Sequence, residues 1–218
     1  AGNRMPAILF TLIIGVSIIY FAKYNKSILI ILLLFPLFVF FMMNSNERVR
    51  NGLAGIYYQV KNITYNNFFE PEKFNKHQVP EQIYQFKSGV DTWSLNKYLG
   101  GSIKSFRFNC WEAQKKINST WSCSSHPHNY YLEVLSDLGL LGFIVISILF
   151  SSLIFIFFDH IKSVKFKDKE GYLFTTIFLL LLAEFFPIKS TGSFFSTYNA
   201  AYIFIILPIF VGMYKKNN

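Results

Sequence analysis

The chain has 218 residues, of which 52% are hydrophobic, including 26 Phe and 13 Tyr, and only 15% are charged. A typical soluble protein carries roughly 25% charged residues, so this composition lacks the polar surface a water-soluble fold needs. It also excludes disorder, collagen-like repeats and coiled coil. The net charge of +9, from 21 basic and 12 acidic residues, points to nucleic acid only if it gathers on one exposed face.

Five apolar stretches follow in chain order: Ala7 to Ala22, Ile28 to Met43, Leu138 to Phe158, Tyr172 to Phe186 and Ala200 to Tyr214. About 20 helical residues cross the hydrocarbon core. The third stretch is long enough by itself. The others complete their spans with interfacial residues such as Tyr20, Tyr24, Tyr202 and Tyr214. The chain therefore reads as an all-α integral membrane protein with about five transmembrane helices. Lys23 and Lys26, then Lys162, Lys165, Lys167 and Lys169, then Lys215 and Lys216 all fall on one side when the spans alternate. The positive-inside rule makes that side cytoplasmic. The organisation is then two spans over 1–43, a large and partly helical periplasmic loop over 44–137, and three spans over 138–218 ending in a cytoplasmic C-terminus.

Within the outer loop, Val49, Leu53, Ile56, Tyr57 and Val60 recur at helical spacing. Pro80 can open a second helix, with Ile83, Phe86, Val90 and Trp93 on one stripe. Asn66 to Lys76 reads as irregular, and Gly100 with Gly101 marks a turn. The expectation is two or more short amphipathic helices against the membrane surface or capping the bundle.

Both cysteines, Cys110 and Cys123, lie in this loop. An extracytoplasmic compartment permits a disulfide between them. Zinc is the competitor, since His126 and His128 follow closely, and free thiols are the third reading. The Cys-to-Cys spacing departs from common zinc sites, where two to four residues separate the pair. The disulfide is the reading taken, with no metal.

The densest polar cluster spans Gly101 to Cys110 and Cys123 to Glu133, just before the third span. Ser125 or His126 can cap a helix whose first residue is Pro127. His128 would then lie in the first turn, where the helix dipole disfavours imidazolium. A neutral His can accept a proton as a general base. Asn129, Glu133 and Asp137 share one helix face. Arg is scarce: Arg4, Arg48, Arg50 and Arg107. All four fall on the outer side, where the planar guanidinium suits phosphate oxygens. Lys104 stands three residues before Arg107. Glu184, inside the fourth stretch, is an intramembrane carboxylate close enough to Pro187 to reach the interface. No nucleotide-binding glycine motif is present.

The run from Ser125 to Gly142, SHPHNYYLEVLSDLGLLG, resembles a signature of the O-antigen ligase and O-antigen polymerase superfamily, where a periplasmic loop enters a membrane helix. Gly101 to Cys110 is similar to the segment upstream of it, Gly2 to Met5 to the family's Arg-containing start of an earlier helix, and Ser190 to Phe195 to its short outer loop. The resemblance implies a metal-independent, inverting glycosyltransferase without cofactor, in the bacterial inner membrane, its active site facing the periplasm. It implies a donor saccharide on undecaprenyl diphosphate and an acceptor sugar hydroxyl, on lipid A-core for a ligase or on a growing glycan for a polymerase. Other partners are membrane lipids, and nucleic acid is not expected. The family's His maps to His128 as base, supported by His126, Asn129 and Glu133. Its first Arg maps to Arg4, which would hold the diphosphate. The second has no counterpart at Lys76, His77 or Gln78, and Arg107 or Lys104 stands in for it. The family has about a dozen spans, so the chain reads as the latter half of a longer protein. A transporter or flippase of lipid-linked saccharide, and a non-catalytic membrane scaffold, are the alternatives from other classes.

Overall fold

A computed structural model describes residues 5–22, 26, 29–66, 69, 73, 75, 77, 79–118, 123–163 and 169–216. Arg4, Lys23, Tyr24, Lys76, Gln78, Lys165 and Lys167 lie outside the described residues. The described residues are helical, with no strands. The α-helices are α1 (Met5–Ala22), α2 (Leu29–Ser45), α3 (Glu47–Lys61), α4 (Glu81–Trp93), α5 (Phe106–Ile117), α6 (Tyr130–Ser163), α7 (Lys169–Glu184) and α8 (Thr197–Lys216). Among the described residues two stretches are long and apolar enough to cross a bilayer: Tyr130–His160 of α6 and Thr197–Tyr214 of α8. Shorter apolar helical stretches run over Leu34–Ser45 and Gly171–Glu184. The helices along α6 and α8 bury few of their own residues, and Val145, Ile148, Phe155, Phe204 and Ile205 stand exposed. That much uncovered apolar surface fits a hydrocarbon solvent.

The chain divides into two units, one formed by 1–13 with 84–218 and the other by 14–83. In the first, α6, α7 and α8 pack around a core of aromatic rings. Phe157 stacks on Phe178 at 3.7 Å between centroids, and Phe174 on Phe210 at 4.6 Å. Rings with few rotatable bonds fill this space at low entropic cost. At one end of the core the Tyr214 hydroxyl donates to Asp159 Oδ2 at 2.6 Å, and buried His160 lies on the Phe174 ring.

In the second unit, α2 runs into α3 through Asn46. Its extended backbone ends one helix, and its side chain accepts from the Arg48 and Val49 amides to cap the next. A π-helical turn over Asn62–Asn66 follows α3. Buried Asn62 then pins the chain at Asn75, donating to its carbonyl at 2.8 Å and accepting from its amide at 2.9 Å.

The apolar stripe over Val49 to Val60 becomes α3, and the helix after Pro80 becomes α4. The helix expected to run unbroken from Pro127 into the third stretch is interrupted at the second residue of that stretch. Gly139 sits at φ 65° and ψ −163°, so α6 is a short helix followed by a long one. That backbone region is essentially restricted to glycine. The helix α5 carries an apolar face of Phe106, Cys110 and Ala113, which is buried.

Candidate active site

The start of α6 departs from the sequence-based expectation in one respect that matters. The helix begins at Tyr130, not Pro127. Asn129 caps it, its Oδ1 accepting from the Leu132 amide at 3.1 Å while its carbonyl accepts from Glu133 at 2.9 Å. His128 therefore stands outside the first turn, with a left-handed φ of 55°. The left-handed region costs a non-glycine residue roughly 1–2 kcal/mol. The fold holds His128 there because Pro127 and Asn129 on either side are buried and its carbonyl accepts from the Thr191 amide at 2.8 Å. The helix-dipole argument for a neutral His128 thus loses its geometric basis. Asx capping is the reason: a residue whose side chain bonds the N3 amide starts the helix after itself, and Asn129 does this where Ser125 and His126 do not.

The two histidines come together. Their rings are 4.2 Å apart between centroids and inclined at 44°. Ser125 Oγ lies 3.0 Å from His126 Nδ1. Burial holds the His126 imidazole below its ordinary range, and the neighbouring His128 and Arg107 add to this, against an opposing pull from the Thr191 backbone. His126 is therefore a neutral ring at neutral pH, one able to accept a proton.

The loop between α7 and α8 wraps this start. Asn129 Nδ2 donates to the Pro187 carbonyl at 2.6 Å and to that of Lys189 at 3.3 Å. Glu133 accepts from Ser193 Oγ at 2.6 Å and from the Phe194 amide at 2.5 Å. The Tyr131 hydroxyl reaches the Phe185 carbonyl at 2.7 Å. Glu184, the last residue of α7, accepts from the Tyr130 hydroxyl at 2.5 Å and pairs with Lys189 Nζ at 2.6 Å. Asn129 through its Nδ2 and Glu133 through its carboxylate thus hold this loop against the histidine segment. Lys189, Thr191 and Ser193 escaped the sequence reading as contacts, because loop residues sixty positions away carry no periodic signal. The outer-loop character of Ser190 to Phe195 was the only pointer.

On the other side, the break in α6 receives the turn before α5. The Gly101 and Ser102 amides donate to the Ser136 and Asp137 carbonyls at 3.0 and 2.8 Å, and Leu140 donates to the Lys97 carbonyl at 2.9 Å. These bonds satisfy backbone groups that a helix break would otherwise orphan. A Cβ on Gly139 would overlap the Tyr98 carbonyl, and one on Gly100 the Asp137 carbonyl. Asp137 is fully buried. Its carboxylate accepts from the Lys104 and Phe106 amides at 2.6 and 3.0 Å and from Ser105 Oγ at 3.2 Å. It acts as a remote N-cap for α5, whose own cap residue Ser105 makes no side-chain capping bond.

Arg107, in the first turn of α5, is exposed and close enough for its charge to act on His126 and Asp137. Lys104 is exposed, with φ 61°, and its charge reaches Glu133. A disulfide joins Cys110 of α5 to Cys123, with 5.9 Å between their Cα atoms. It ties α5 to the segment leading to the histidines and takes both sulfurs from the zinc reading. Among the described residues no group of three His, Cys, Asp or Glu is placed to hold a metal ion. The structure thus brings His126 and His128 together before the start of α6, within reach of the Arg107 charge, and sets the Lys104 backbone against Asp137, two turns along. Arg4 lies outside the described residues.

A helical chain with bilayer-length apolar helices and a histidine–cation cluster at the N-terminal end of one of them fits a membrane protein with a polar site at a helix mouth. Its family follows from the sequence: the O-antigen ligase family profile matches residues 1–147, more than half of the chain, and the chain belongs to that family. No curated protein and no solved structure matches it.

Proposed function

We propose that this protein transfers a saccharide from a lipid-linked diphosphate to a sugar hydroxyl, as an O-antigen ligase does, without metal and with inversion. The observation that carries the proposal is the His126–His128 ring pair under the charge of Arg107, at the start of the longest apolar helix, in a chain of this family.

In the proposed step His128 takes the proton of the acceptor hydroxyl. The acceptor oxygen attacks the anomeric carbon from the face opposite the diphosphate. The anomeric carbon–oxygen bond breaks, and its electron pair leaves with the diphosphate. Because diphosphate is a good leaving group, the protein's main tasks are charge stabilisation and orientation. Arg107 and Lys104 supply cations to it, with Arg4 as a further one. His126, kept neutral by burial, adds no positive charge beside the base. Asn129 and Glu133 support the site by holding the 187–194 loop on it. The donor lipid is undecaprenyl diphosphate and the acceptor lipid A-core. In this reading the site stands at the periplasmic face of the inner membrane, where such a donor is presented, and the lysines of the short loops support that orientation.

The test is His128→Ala, assayed in membranes for transfer and separately for donor binding. Transfer should fall by roughly 10²–10⁴-fold, the range of general acid–base catalysis, with donor binding retained. Unimpaired transfer would remove His128 from the reaction. If transfer persists only onto a growing glycan and never onto lipid A-core, the acceptor assignment moves to polymerisation.

A further inference from the structure

The helix α3 leaves its apolar stripe uncovered. Tyr57 is 62% exposed and Val60 53%, Leu53 is exposed too, and Val49 and Ile56 are half-buried, with no buried residue in the helix. The polar side carries Arg48, Arg50 and Lys61 against a single carboxylate, Glu47. An amphipathic helix of low overall hydrophobicity with a basic polar face has the composition of one that lies in a bilayer interface. Its location agrees. It follows α2 directly, across the cap at Asn46, and α2 exposes Leu37, Phe38, Phe40 and Phe41 up to that junction. The two apolar surfaces are consecutive along the chain, and the change of direction at Asn46 lets α3 turn away from the axis of α2.

A second feature lies at the far end of the same helix. An open groove of about 480 Å³ is lined by Tyr57, Val60, Lys61, Thr64, Tyr65 and Lys73. The bonds from Asn62 to Asn75 and from Asn66 to the Lys73 carbonyl bring Lys73 and Asn75 against the π-helical turn. Two ammonium groups, three hydroxyls and an apolar floor suit a phosphate headgroup and the top of its acyl chains.

We propose that α3 lies in the leaflet reached by the C-terminal end of α2. The stripe of Val49, Leu53, Ile56, Tyr57 and Val60 faces acyl chains, and an anionic phospholipid headgroup occupies the Lys61–Lys73 groove. This rests on the membrane reading of α2 and is independent of the transfer chemistry.

The experiment uses the whole chain in vesicles of phosphatidylcholine with phosphatidylglycerol. Nitroxides are attached through Leu53→Cys, Val60→Cys and, on the opposite face, Asn51→Cys. Labelling without reductant spares the Cys110–Cys123 bond. Relaxation by oxygen should dominate at positions 53 and 60, and relaxation by an aqueous nickel chelate at 51. Equal access of the chelate to all three positions overturns the proposal, showing a solvated helix. Loss of access to both relaxants at 53 and 60 also overturns it, showing a protein partner or a second copy on the stripe. For the groove, spin-labelled phosphatidylglycerol should be immobilised in preference to phosphatidylcholine, and Lys61→Gln with Lys73→Gln should lower that preference several-fold. An unchanged preference removes the headgroup from the groove.

Discussion

Replacing Asp137 with Ala removes the group that starts α5. In the native chain its buried carboxylate accepts from the Lys104 and Phe106 amides and from Ser105 Oγ. A hydrogen bond to a charged group contributes about 1.5–3 kcal/mol, and a buried amide left without an acceptor carries a further desolvation cost. The Ser105 contact is the longest of the three, so the two amide bonds dominate. The backbone bonds from Gly101 and Ser102 survive the substitution, and the disulfide still tethers α5. Taking the low end for the two amide bonds gives about 3 kcal/mol, roughly a hundredfold rise in local opening. Hydrogen exchange of the protein in nanodiscs reads this directly. The 102–110 amides should lose about two decades of protection, while the α7–α8 core should not change. Asp137→Asn, which keeps one acceptor oxygen, should fall between. Because Arg107 stands in the first turn of the loosened helix, donor binding should weaken in the same order. Unchanged exchange across 102–110 in Asp137→Ala would show that α5 is held by its disulfide and apolar face alone, and the capping argument would fail.

Cys110→Ser should expose Cys123 to thiol reagents that the native protein resists without reductant, and should cost about 3 kcal/mol in the chain-entropy model for a loop of this size. Gly139→Ala forces a Cβ into the Tyr98 carbonyl at a glycine-only backbone conformation. Strain alone should cost about 1–3 kcal/mol, visible as a lower melting temperature and faster proteolysis in the 97–104 turn. His126 binds its proton less readily when folded than when unfolded. Its contribution to stability is therefore complete above its unfolded value near 6.5 and is lost as pH falls from there towards the lower folded value, flattening below it. His126→Gln should flatten that part of a pH–stability curve, and an unaltered curve would assign the acid sensitivity elsewhere.

The membrane class and the family were legible in the sequence. Long apolar runs are one-dimensional signals, because a bilayer sets the length of a helix whatever it packs against. The same holds for the stripe that became α3 and for the SHPHN run that marks the family. The pairing of Cys110 with Cys123 was within reach for a similar reason, since only two cysteines exist. Three features were decided by tertiary structure. The break at Gly139 depends on the turn over 97–102, whose carbonyls and amides make the interruption tolerable; a lone Gly inside an apolar run carries no record of that partner. His128 takes its left-handed backbone from Asn129 capping the next helix and from Thr191 binding its carbonyl, contacts that join positions sixty residues apart. Asp137, read only as sharing a helix face with Asn129 and Glu133, became the cap of a different helix. Apolar length and local pattern are written along the chain, but the satisfaction of each buried polar group is settled by what folds back against it.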